Sequence, residues 1–222
     1  MAERHFDEEL KLLKERLLQM ASRAEEAIAR SVKSLVNRDS PLAEQVIKLD
    51  PLIDALEIEV DEQCLKLLAL RQPIAIDLRF ITSAMKINSE LERIGDQAVN
   101  IAERSLELVK EPRLKPLIDI PRMATLSQGM VKDSLDAFVN KDAALARSVC
   151  ESDDEVDNLN EQIFRELLTY MIQDTSTISR AVHLMLIGRH LERIADHATN
   201  VAENVIYFVK GKTIKHHVAD MH

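Results

Sequence analysis

Residues 91–103 of the chain read L-E-R-I-G-D-Q-A-V-N-I-A-E, and residues 191–203 read L-E-R-I-A-D-H-A-T-N-V-A-E. Nine of these thirteen positions are identical at an offset of 100, where chance gives fewer than one. The likeness extends upstream. Val36-Asn37-Arg38-Asp39 corresponds to Val139-Asn140-Lys141-Asp142 at an offset of 103. Asp54, Glu57, Asp61 and Leu67-Leu68 correspond to Asp154, Asp157, Glu161 and Leu167-Leu168 at an offset of 100. A three-residue insertion or deletion between the two reconciles the offsets. The chain is thus a tandem duplication, and self-similarity at a fixed period means that one structural unit is built twice.

That unit is helical. Leu10, Leu13, Leu17, Met20, Ala24, Ala27 and Ser31 recur at spacings of three and four, the stripe of an amphipathic helix ending near Asn37. Asp39 or Ser40 is placed to cap a short helix through Leu49, with Pro41 in its first turn. Asp50-Pro51 predicts a further cap and first turn, because a proline inside a helix costs about 3 kcal/mol. Ile53, Leu56, Val60 and Leu67 then mark a helix to Leu70. The longest stripe runs Phe80, Ala84, Ile87, Leu91, Ile94, Ala98, Ile101, Ser105 and Leu108, and is repeated 100 residues on by Leu184, Ile187, Leu191, Ile194, Ala198, Val201, Val205 and Phe208. A helix over 74–109 is about 54 Å long and needs long antiparallel neighbours. Three of the six prolines fall within 111–121, which marks the junction. The predicted fold is all-α, two three-helix bundles in tandem, the first over 1–112 and the second over 113–222 with a short flexible C-terminal tail. Whether a pseudo-two-fold or a simple displacement relates them stays open.

Composition agrees. Aromatic residues make up 3 % of the 222 residues, with no Trp and only four Gly, which argues against an all-β fold. No Gly-rich phosphate loop is present. A net charge of −9 repels nucleic acid and acidic lipid over most of the surface. Membrane association is therefore expected only through partners. No apolar run approaches 18 residues and the N-terminal sequence has no signal-peptide character, so a cytoplasmic location is expected. Cys64 and Cys150 have no metal or redox spacing and read as reduced, structural residues.

The chemistry-bearing pattern is acidic. On the long helix Glu92, Asp96 and Asn100 stand four residues apart, and Glu192, Asp196 and Asn200 repeat them. Residues at this spacing lie one turn above each other. Glu57 and Asp61 form a second i,i+4 pair, matched by Asp157 and Glu161. Beside apolar seam positions such carboxylates need cationic partners or a metal ion. Arg93, Arg193, Lys11, Lys14 or Arg16 would serve in a purely structural arrangement. Oxygen ligands suit iron, manganese or magnesium, and zinc with mixed ligation. The E-x-x-H pairs of di-iron oxidases are absent. His183, His190 and His197 have Ser83, Glu90 and Gln97 as their counterparts in the other copy, so the duplication preserves none as a ligand. Ser127-Gln128-Gly129 lacks the context of a nucleophile elbow, and Ser31 and Ser134 read as small residues at a helix contact. Two classes remain: a non-enzymatic adaptor with metal-dependent faces, and a metal-dependent phosphohydrolase on a helical scaffold. The absence of a repeated His or Lys beside the carboxylates favours the adaptor, with Arg93 and Arg193 as candidate anion clamps.

The repeated L-E-R-I-x-D motif, with D-A-L-E-I-E-V-D at 54–61 and D-E-V-D-N-L-N-E at 154–161, resembles the PhoU family over nearly the whole chain. The family's E(D)-x-x-x-D motif matches Glu57/Asp61, Glu92/Asp96 and Glu192/Asp196, whereas Asp157/Glu161 departs by ending in Glu. The resemblance implies a six-helix protein that binds iron, zinc, magnesium or manganese ions, divalent or ferric, on these faces. It implies a homodimer or larger homo-oligomer. It also implies a repressor of the phosphate-starvation response that contacts a phosphate-sensing histidine kinase and the ATPase subunit of a phosphate ABC transporter, with no reaction of its own. A homodimer is also suggested by Met130, Phe138, Phe164, Tyr170 and Phe208, more large side chains than slim bundles readily bury.

Overall fold

The computed structural model describes residues 2–212, with side chains from residue 6; the tail expected to be flexible lies outside the described residues. These residues form helices α1 (Ala2–Asn37), α2 (Ser40–Leu49), α3 (Pro51–Arg71), α4 (Ala75–Val109), α5 (Asp119–Asn140), α6 (Ala143–Gln173) and α7 (Ile178–Lys210), with a 3₁₀ turn at Thr175–Thr177 and no strand among them. The architecture is six-helical because α2 and α3 together match the single helix α6. Fifteen residues from Ser40 to Asp54 stand against twelve from Ala143 to Asp154, and the extra three fall where Pro51 restarts the helix.

The first turn of each copy is built alike. Arg38 and Lys141 take left-handed φ values of 57° and 56°. Asp39 N–H then donates to Ser34 O, and Asp142 N–H to Ala137 O, each at 2.9 Å. The carboxylates of Asp39 and Asp142 accept from the backbone N–H groups of the next helix. Such a cap contributes about 1 kcal/mol. Asp50 departs from the expected role. Its side chain makes no capping bond to α3 and is turned to other carboxylates.

Helices α4 and α7 form the central pair. α1 and α2–α3 pack on α4, α5 and α6 pack on α7, and α1 also rests on α5. The expected stripes are buried: Ile87, Leu91, Ile94, Ala98 and Ile101 on α4, and Ile187, Leu191, Ile194, Ala198 and Val201 on α7, are fully enclosed. The apolar interiors of the two repeats are continuous. Of the five large side chains thought too many to enclose, Met130, Phe138 and Phe208 are buried, Tyr170 is half-buried and Phe164 is half exposed.

Three contacts decide the relation of the copies. Ser83 bonds to the Asn204 carbonyl, Glu90 to His197, and Gln97 to His190. One register climbs as the other falls, so α4 and α7 are antiparallel. Subtracting 100 from the second partner turns the Glu90–His197 contact into 90–97 and the Gln97–His190 contact into 97–90. The copies are related by a pseudo-two-fold axis across this pair.

Candidate functional site

The acidic residues gather on two faces, one per repeat. On the first, Asp50, Asp54 and Glu57 stand opposite Glu92 and Asp96 of α4. Gly95 lets the helices approach: a Cβ there would lie 3.0 Å from Ile53 Cδ1 and 3.7 Å from Asp50 Oδ1. Burial, then the charges of Asp54 and Asp96, pushes Asp50 up to about 6. Burial, then Asp96, Glu57 and Asp54, pushes Glu92 up to about 6. Glu57 and Asp96 are raised for the same two reasons. The Arg93 guanidinium opposes the shift at Glu57 and Glu92 without cancelling it. Asp61 lies a turn further along α3, where the Asn88 amide donates to its Oδ1 at 3.1 Å and to the Glu57 carbonyl at 2.9 Å. Asn100 is half-buried one turn beyond Asp96.

The second face joins Asp153, Asp154 and Asp157 of α6 to Glu192 and Asp196 of α7. Burial, then Asp157, Asp196, Asp154 and Glu192, pushes Asp153 up to about 6, and its Oδ1 is buried without a hydrogen-bond partner. Asp157 is raised by burial and by Asp196 and Asp154, against the pull of Arg189. Glu192 accepts from Asn160 Nδ2 at 2.7 Å and is paired with Arg189. Glu161 is exposed and paired with Arg165 on its own helix. Asn200 faces the other repeat, donating to Glu90 Oε2 at 3.2 Å.

Asp50, Asp54, Asp153 and Asp154 are members that the spacing argument passed over. Asp50/Asp54 and Asp153/Asp157 are themselves i,i+4 pairs, a signal present in the sequence but masked at Asp50 by its reading as a cap. The cations proposed as structural partners are mostly elsewhere: Lys14 donates to the Val139 carbonyl and Arg16 stands 3.4 Å from Glu59. Among the described residues, no three His, Cys, Asp or Glu side chains stand in an arrangement that could hold a metal ion.

Between the faces runs the polar seam of α4 and α7. Glu90 Oε2 accepts from His197 Nδ1 at 2.7 Å, and these bonds hold its carboxyl below the usual range despite burial. His190 Nδ1 donates to Gln97 Oε1 at 2.9 Å, and burial beside Arg104 and Arg193 pushes the imidazole down to about 4, so it is neutral at pH 7. His190 and His197 are seam residues. Both cysteines are free. Burial pushes the Cys64 thiol up to about 12 and the Cys150 thiol up to about 11, so neither is a thiolate nucleophile near neutrality.

Residues 17–105 and again 120–205 match the PhoU domain, once per repeat. The chain belongs to the PhoU family. It is similar to the phosphate-specific transport system accessory protein PhoU homolog of Aquifex aeolicus (strain VF5), 47 % identical over 208 residues and covering 94 % of each chain. The solved PhoU of Pseudomonas aeruginosa superimposes with a TM-score of 0.90 at 41 % identity, over 93 % of this chain and 100 % of that one. The phosphate transport system regulatory protein PhoU of Streptococcus pneumoniae gives 0.88 at 31 %, over 94 % and 98 %. The PhoU fold thus accounts for the duplicated pattern and for the two facing bundles. Among the described residues no helix is long and apolar enough to cross a membrane.

Proposed function

We propose that this chain restrains phosphate-starvation signalling and phosphate transport by contacting a phosphate-sensing histidine kinase and the ATPase subunit of a phosphate ABC transporter, with metal ions bound at its two acidic faces. The coarser part follows from membership: PhoU proteins are non-enzymatic regulators of phosphate homeostasis. The observation that carries the finer part is the gathering of carboxylates on two faces, with Asp50, Glu57, Glu92 and Asp96 on one and Asp153 and Asp157 on the other raised in proton affinity. Burial first and mutual repulsion second raise these groups, more than Arg93 and Arg189 offset, and a hard cation would relieve both costs. The donor set is all oxygen, and Asp153 Oδ1 is buried with no partner, so the donor chemistry suits iron, manganese, magnesium or oxygen-ligated zinc; binding requires the carboxylates to turn inward, since as they stand no three among the described residues are gathered to hold an ion. Asp50, Asp54, Glu57, Glu92 and Asp96 would hold ions on one face, and Asp153, Asp154, Asp157, Glu192 and Asp196 on the other. The bound ion would neutralise each face and alter the charge offered to a partner.

The test is a pull-down from lysate at high and low phosphate, with the wild type beside the variant carrying E92Q, D96N, E192Q and D196N. Recovery of the kinase or the ATPase by the wild type, reduced in the variant, supports the whole reading. Recovery equal in both separates partner binding from the acidic faces. Recovery of neither, with metal-dependent turnover of phosphate esters by the purified chain, replaces it with the phosphohydrolase.

A further inference from the structure

Where α1, α4, α5 and α7 meet, away from both acidic faces, the surface opens into a depression of about 270 Å³. Three of the five phenylalanines converge on it. Phe80 stacks on Phe138 with centroids 5.4 Å apart, and Phe208 lies 5.6 Å and 5.9 Å from them. Leu10, Ile76 and Val139 complete the apolar wall. Its rim reverses the charge of the molecule. In a chain of net charge −9, Lys11, Lys14 and Lys141 border the depression with Asp77 as the one lining carboxylate.

Among the described residues, neither Lys14 nor Lys141 is paired with a carboxylate, and Lys11 has only a long pair. Lys11 is largely exposed and stands 3.8 Å from Glu15. Lys14 donates to the neutral carbonyl of Val139, and Lys141 lies 5.7 Å over the Phe208 ring. Sequence alone does not group them, since Lys141 is 127 residues from Lys14. The walls are helical, so their backbone groups are committed to helical bonds. They offer an extended peptide no edge to pair with. An apolar pocket with a few convergent polar groups is the ordinary form of a small-molecule site.

We propose that this depression binds a small anionic amphiphile, a medium-chain carboxylate, with its chain against Leu10, Ile76 and Phe80, over the buried Phe138 and Phe208 rings, and its head at the lysine rim. The site is independent of the acidic faces and of the phosphate-signalling reading. Calorimetric titration of the full chain with decanoate, kept below its micelle concentration, tests it. Saturable binding at one site per chain is expected. The K11Q/K141N variant should weaken decanoate about tenfold while moving the uncharged counterpart decanol less than about threefold. Asparagine at 141 tolerates the left-handed backbone there. Asp77→Asn should tighten decanoate, because it removes the carboxylate that lines the depression. Ile76→Ser, at an exposed position of the wall, should weaken both probes without disturbing the buried rings. Absence of saturable binding, equal affinity of the lysine variant, or inorganic phosphate competing as well as decanoate would each overturn the proposal. So would tighter binding of an acidic peptide bearing one Phe, which would make the depression a protein-docking site.

Discussion

Glu90 and Glu92 are two residues apart on α4, and the same substitution should move stability in opposite directions. Glu92 is pushed up to about 6 from 4.5 by burial and by Asp96, Glu57 and Asp54. At pH 7.5 the folded chain therefore carries a charge it would rather shed. The full shift corresponds to about 2 kcal/mol, and partial exposure reduces it to roughly 1 kcal/mol. Glu92→Gln in the presence of chelator should stabilise the chain by that amount, raising Tm by about 2–4 °C. Glu90 is held below the usual range by His197 and Asn200, so Glu90→Gln removes charge-assisted bonds from a largely buried site and should cost about 1–3 kcal/mol. The pH dependence separates the causes. A carboxyl raised on folding destabilises above its folded pKa and is relieved as the pH falls, so the Glu92→Gln advantage should shrink between pH 7.5 and pH 5. A carboxyl lowered on folding contributes stability above its unfolded pKa, so the Glu90→Gln loss should persist over that window. Thermal denaturation followed by circular dichroism at both pH values is the assay. Two losses of similar size at pH 7.5, or a Glu92→Gln gain that is unchanged at pH 5, would refute the electrostatic account of the acidic face.

Manganese or magnesium at pH 7.5 should raise the Tm of the wild type and leave the E92Q/D96N/E192Q/D196N variant unmoved; an equal rise in both, read by the same melting assay, would remove the metal from these faces. His190, pushed down to about 4 by burial beside Arg104 and Arg193, opposes the carboxylates in acid: it contributes stability above its unfolded pKa that is lost as the pH falls towards 4, so His190→Gln should flatten the acid limb of a stability profile measured by urea titration. Phe208→Ala, at a side chain 1 % exposed, should cost about 3–5 kcal/mol by chemical denaturation. Gly129→Ala meets nothing within 4 Å and should stabilise α5 by about 0.5–1 kcal/mol. Gly188→Ala places a Cβ 2.8 Å from Asn160 Oδ1, so it should show no such gain and should disturb the Asn160–Glu192 bond, visible as a shifted Asn160 side-chain resonance.

The duplication, the helix boundaries of the first copy, a cap at Asp39 or Ser40 and the buried stripes were legible in the sequence. Each is a local property: a repeat is read by alignment, a stripe by 3.6-residue periodicity, a cap by the residue before the stripe. The carboxylate ladders were legible for the same reason, since i,i+4 spacing alone places Glu92 above Asp96. What the tertiary structure decided is which faces meet. The antiparallel pairing of α4 and α7 turned a tandem repeat into a pseudo-two-fold pair, and only that pairing brings Asn200 to Glu90. Asp50 is sequence-local to a proline and reads as a cap, but the close approach at Gly95 brings it to Asp96. Glu161 has the spacing of a ligand, but its place on α6 leaves it in solvent with Arg165. Phe80, Phe138 and Phe208 are scattered over 129 residues and become one cluster only when four helices converge. Periodicity tells each helix which side to bury. The partner against which that side is buried is set by the packing of the whole chain, where many weak contacts between distant residues must be satisfied together.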